Sequence, residues 1–144
     1  MRDDRIYPTR PIVGVGAVVW RHGKVLLVRR AKNPGTGTWS LPGGAQELGE
    51  TIKETAIRET REETGVEIRE LTFLGAFDSM ERDEKDDLLY HFTLIDFEAF
   101  WVSGEPRPGD GETDAKFFAM EELTDLNLWE PMLNIILKSA RRRA

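Results

Sequence analysis

The chain reads as an α/β protein, a mixed β-sheet flanked by helices, and three observations carry that reading. Short runs rich in Val, Ile and Leu recur along most of its length. Two segments carry helical patterning instead, and the two kinds of segment are interspersed. At 144 residues and 16.4 kDa the chain makes one domain, spanning 1–144 and able to bury about two thirds of its unfolded surface in one core.

Residues 1–10 form a polar extension without the apolar stretch of a signal peptide, and the folded core runs from about 12 to 137. Residues 12–20 are dense in Val and Ile and predict a buried strand. The turn Arg21-His22-Gly23-Lys24 folds it back on a second strand at 25–29, giving a hairpin. Gly14 and Gly16 lie inside the first strand. A dinucleotide-binding turn would need a third glycine where Val19 stands, so the pair is expected to allow close backbone approach. Residues 30–38, with Asn33-Pro34-Gly35 and Gly37, form a loop, and 39–44 a strand end and a glycine turn.

A helix follows, ending at Thr64 with Gly65 as its C-cap signal. Residues 71–77 predict a strand, and 78–87, containing ERDEKDD, an exposed acidic loop. Residues 88–97 predict a long strand, 103–111 a Pro/Gly loop and 115–120 the last strand. Residues 130–140 close as a helix that tolerates Pro131 in its first turn. There are no internal repeats.

The chemistry concentrates between Gly44 and Val66. At about 100° per residue, Glu59, Glu62 and Glu63 share one helix face. Carboxylates crowded in this way repel one another and bind protons more tightly unless a cation sits among them. Oxygen-only donors select a hard cation, Mg2+ with Mn2+ as the alternative, and a chain without cysteine offers no thiolate to softer metals. Magnesium keeps open positions for substrate phosphates, which points to hydrolysis of a phosphoanhydride. A solvated helix with i, i+4 pairs, such as Glu54 with Arg58, would explain the charges alone. It would not call for Trp39-Ser40-Leu41-Pro42-Gly43-Gly44 immediately upstream.

This segment resembles the Nudix box: Gly44, Glu50, Arg58, Glu59, Glu62, Glu63, Gly65 and Val66 all fall on its pattern. Thr60 is the one departure, standing where the family usually has an aliphatic residue. Its hydroxyl is expected to return to a backbone carbonyl one turn back. The resemblance implies an α/β/α sandwich over about 12–137 and metal ligation by Glu59, Glu62, Glu63 and the Gly44 carbonyl. It also implies a structural role for Arg58. It leaves the general base open among Glu59, Glu63, Glu112 and Asp114, the last two in an acidic loop at 109–114.

The resemblance further implies that Arg30, or its neighbour Arg29, reaches substrate phosphate. Trp129 occupies a position where triphosphate-cleaving members often carry Asn. It could stack on a base but offers no paired amide hydrogen bonds. Residues 90–105 resemble small bacterial members classed as ADP-ribose pyrophosphatases. The favoured substrate is therefore ADP-ribose or a nucleotide sugar, against a nucleoside triphosphate or a non-catalytic nucleotide sensor. A formal net charge of −6 opposes binding to long nucleic acid, and no apolar run could span a membrane. The expected partners are a small nucleotide and a second copy of the chain in a homodimer, and the expected location is the cytoplasm.

Overall fold

The computed structural model describes residues 5–32 and 35–143. Residues 1–4 of the polar extension, and Asn33 and Pro34 of the expected loop, lie outside the described residues.

Strands β1 (Ile12–Arg21) and β2 (Lys24–Arg30) form the expected hairpin around a turn in which His22 and Gly23 both take positive φ, the geometry that matches strand twist. The two strands stay paired only at Trp20 with Val25 and Arg21 with Lys24, and then part. The fork is filled on both arms. Strand β4 (Gly43–Ala45) takes the side of β1 that β2 leaves, while β3 (Trp39–Ser40) and β7 (Glu112–Phe118) flank β2. On the far side of β1 runs β6 (Leu88–Ser103), parallel to it, and β5 (Glu67–Arg82) forms the outer edge.

Helix α1 (Ile52–Thr64) packs on one face, where Val15, Ala56 and Phe97 meet, and α2 (Glu130–Arg143) covers the other through Ile136 against Val18, Trp20 and Leu74. Alternate residues of β1 thus enter different cores, which is why its sequence is a continuous apolar run. A 3-10 turn at Met120–Leu126 buries Leu123 ahead of α2.

Several boundaries differ from expectation. The acidic loop at 78–87 shrinks to 83–87, because Asp78 to Arg82 continue β5 in register with β6. An edge strand can keep its polar residues in water, so the charge of that stretch does not exclude it. Strand β5 begins at Glu67, β6 extends to Ser103, and α2 continues to Arg143. Strand β7 starts at Glu112 and ends at Phe118, so Glu112 and Asp114 stand on a strand instead of in a loop. Gly14 and Gly16 make room for the side chains of Leu94 and Asp96, and it is Gly43 that brings backbone against backbone, at Val15.

Candidate active site

Local rules fix α1. Thr51 caps its N-terminus in a reciprocal box with Glu54, and Gly65 ends it in the left-handed conformation at φ 74°. Its last carbonyls are taken by the loop between β6 and β7: Gly109 N–H donates to Glu63 O and Arg107 N–H to Thr64 O, each at 2.9 Å. A Cβ at Gly109 would lie 2.3 Å from Glu62 O, so only glycine lets the loop dock this closely. That docking carries Glu112 toward the carboxylates of α1.

Arg58 holds the acidic face in order. Its guanidinium donates to both oxygens of Glu50, at 2.6 and 3.0 Å, and to Glu59 Oε1 at 2.8 Å, Glu62 Oε2 at 3.2 Å and the Ala45 carbonyl at 3.1 Å. This is the planar fork that a lysine could not reproduce. The hydrogen bonds from Arg58, with one from Thr55, hold the Glu50 carboxyl down at about 2. The reason for glycine at 44 is steric: a Cβ there would lie 2.4 Å from the Glu59 carboxyl carbon.

Glu59, Glu62, Glu63, Asp110 and Glu112 line a cleft of about 430 Å³ with Gly109 and Gly111. Burial pushes the Glu63 carboxyl up to about 9, helped by the charges of Glu112 and Glu59, while the Gly43 N–H at 3.3 Å and Arg30 act against the rise. Burial raises Glu59 and Glu112 as well. Such proton affinity marks negative charge in excess of its local cations. The donors are all oxygen, so the set fits a hard divalent ion. Among the described residues no three acidic or imidazole side chains close on a single point; they line one open cleft.

This geometry meets its counterpart in known proteins. The NUDIX domain pattern matches residues 10–138. The chain belongs to the NUDIX family. It is 34% identical over 122 residues to an ADP-ribose pyrophosphatase from Methanocaldococcus jannaschii, covering 85% of this chain and 69% of that one. An NAD-capped RNA hydrolase NudC from Pseudomonas aeruginosa is 33% identical over 110 residues. There the match spans 76% of this chain and only 36% of the relative. The crystal structure of a MutT NUDIX hydrolase from Burkholderia pseudomallei superposes with a TM-score of 0.71 at 28% identity, over 94% of this chain and 99% of that one. NUDIX hydrolases act on small nucleotide substrates and need divalent metal ions.

Within the NUDIX frame the remaining predicted residues separate. Arg30 acts electrostatically on both Glu63 and Glu112, whereas Arg29 points the other way and donates to the Gly37 carbonyl at 3.0 Å. Glu112 lines the cleft. Asp114 does not, and its Oδ1 accepts from the Ala115 N–H at 2.8 Å. Trp129 is not among the residues that line the cleft and lies beside Phe77, with ring centroids 5.6 Å apart. Thr60 corrects its expectation: its buried hydroxyl has no partner, and Thr64 instead donates to the Thr60 carbonyl at 2.6 Å. Asp110 was not singled out from the sequence; its only signal is its place in the same tight turn as Glu112. No helix among the described residues is long and apolar enough to cross a membrane.

Proposed function

We propose that the chain is a Mg2+-dependent pyrophosphohydrolase acting on a nucleoside diphosphate linked to a second group, with ADP-ribose the favoured substrate and nucleotide sugars next. Water would add across the phosphoanhydride to give a nucleoside monophosphate and a phosphorylated second product. The observation that carries this reading is the acidic cleft. Every carboxylate of the box is present, and an additional one, Glu112, is brought in from β7. A nucleotide sensor has no need of that complete set. The choice of ADP-ribose draws on the pyrophosphatase relative, which matches 85% of this chain.

In this reading Glu59, Glu62 and Glu63 would hold the cation together with the Gly44 carbonyl. A cation bound there lowers the pKa of the attacking water and neutralises phosphate charge. Arg30 meets the diphosphate from β2. Arg58 keeps Glu59 in place through its bond network, and Glu112, facing Glu63 across the cleft, takes the proton from the attacking water. Residues 12–137 form the catalytic domain, working in the cytoplasm. A nucleoside triphosphate is the second reading, favoured by the likeness to the MutT hydrolase along the full length of that protein.

A panel of ADP-ribose, nucleotide sugars, dinucleoside polyphosphates and nucleoside triphosphates, incubated with Mg2+ and with EDTA controls, separates these readings. Release of AMP from ADP-ribose that EDTA abolishes is the expected result. Faster turnover of triphosphates would move the assignment to the second reading, and silence across the panel would count against both.

A further inference from the structure

On the sheet face opposite α1, one row of residues crosses four strands in register: Gly75 of β5, Asp96 of β6, Gly16 of β1 and Gly43 of β4. Asp96 supplies the only side chain in that row. Its residue is 6% exposed, and among the described residues no donor or cation bonds to its carboxylate. Burial alone raises its proton affinity. A buried carboxylate left in this state costs stability, and an apolar residue of similar size would avoid the cost. A group kept at such a cost belongs with function more than with folding.

The surroundings indicate the kind of group that satisfies it. A Cβ at Gly16 would lie 2.6 Å from Asp96 Oδ1 and 3.7 Å from the Pro42 carbonyl oxygen, so the space above this glycine is bordered by two acceptors. At Gly75 the space is closed by Ile135 of α2 at 3.3 Å. At Gly14 a Cβ would lie 2.8 Å from Leu94 Cδ2, so the Leu94 side chain covers that glycine and adds an apolar border next to Asp96. In the adjoining row Phe77 stands opposite Leu94 and lies against Trp129, which is 46% exposed. An acceptor floor beside a half-exposed aromatic pair suits a flat ring that carries N–H donors. The row ends at Gly43, whose N–H bonds to Glu63 in the acidic cleft, so β4 is the shared wall between this floor and the proposed phosphate site.

We infer that Asp96 is a specificity-determining residue that accepts a hydrogen bond from an exocyclic amino group of the substrate's purine, with the ring lying against the Phe77–Trp129 pair. The inference rests on the nucleotide reading given above, but not on which bond of the nucleotide is cleaved. A site built around a buried acceptor rejects a ligand that leaves it unpaired.

The test is calorimetric binding of AMP, GMP and IMP, in Mg2+, to the full chain and to Asp96→Ala, with Asp96→Leu as a second variant of similar size that carries no acceptor and circular dichroism to show that each is folded. IMP carries neither the 6-amino group of AMP nor the 2-amino group of GMP. The wild type is expected to bind AMP or GMP at least about tenfold more tightly than IMP, and the variants to reduce that ratio to below about threefold. A structural role alone would weaken all three ligands together. Equal affinity of the wild type for the three, a ratio preserved in the folded variants, or no binding of any of them would overturn the inference. Hydrolysis of ADP-ribose by the same wild-type preparation is read separately. Its absence would refute the substrate proposal while the purine preference could still stand.

Discussion

Thr60 shows what a single departure from a motif costs. Its hydroxyl is fully buried without a partner, so Thr60→Val removes a desolvated polar group at nearly constant shape and is expected to stabilise the fold by about 1 kcal/mol, read as a higher melting temperature. An unchanged or lower melting point would show that the hydroxyl is satisfied. Arg58→Lys keeps the charge but cannot span Glu50, Glu59 and Ala45, and turnover is expected to fall about 10- to 100-fold in a folded protein. Asp96 makes stability depend on pH. Its folded pKa of about 6 lies above the ordinary 3.8, so the unfolded chain gives up its proton first and stability falls as pH rises between those values. Asp96→Asn should therefore gain up to about 3 kcal/mol over the wild type at pH 8 and almost nothing below pH 4, measured by urea unfolding.

At the scale of elements, α2 is tied to the sheet by a buried chain in which Trp20 Nε1 donates to Ser139 Oγ at 2.8 Å and Ser139 donates to Glu98 Oε2 at 2.5 Å. Ser139→Ala leaves the Trp20 N–H without an acceptor and Glu98 with Arg142 Nε at 3.6 Å as its remaining partner, and is expected to cost about 1 to 3 kcal/mol in denaturant unfolding, with the active-site cleft unaffected. This tie was not legible in the sequence, since its residues lie 119 and 41 positions apart and nothing local links them. The acidic face and the terminating glycine of helix α1 were legible, because each is set by residues close together in sequence, whereas its Thr51 cap comes from the structure. The extension of β5 through Asp78–Arg82 was missed because pairing with β6, a distant event, overrides a polar composition that locally reads as a loop. For the same reason Glu112 could be named as a candidate, while only the docking of Gly109 and Arg107 on α1 separates it from Asp114.

Across the whole molecule, the fork between β1 and β2 admits β4 beside β1 and β7 beside β2, and so brings the acidic helix face, the glycine turn and Glu112 around one cleft. The sheet's topology thus concentrates negative charge in a chain that is already anionic, and a divalent ion should relieve the repulsion. Mg2+ is expected to raise the melting temperature of the wild type and to raise that of Glu63→Gln by less, since binding to the folded state alone stabilises it. The central claim is that these carboxylates are a metal-dependent centre for cleaving a nucleoside diphosphate. It is tested most directly by the turnover of ADP-ribose measured side by side for the wild type and Glu63→Gln, each with Mg2+ and with EDTA. The account predicts AMP and ribose 5-phosphate from the wild type, loss of activity in EDTA and a fall of about 10³-fold in the variant, equivalent to about 4 kcal/mol of barrier. Turnover that persists in EDTA, or a variant within about tenfold of the wild type, would contradict it.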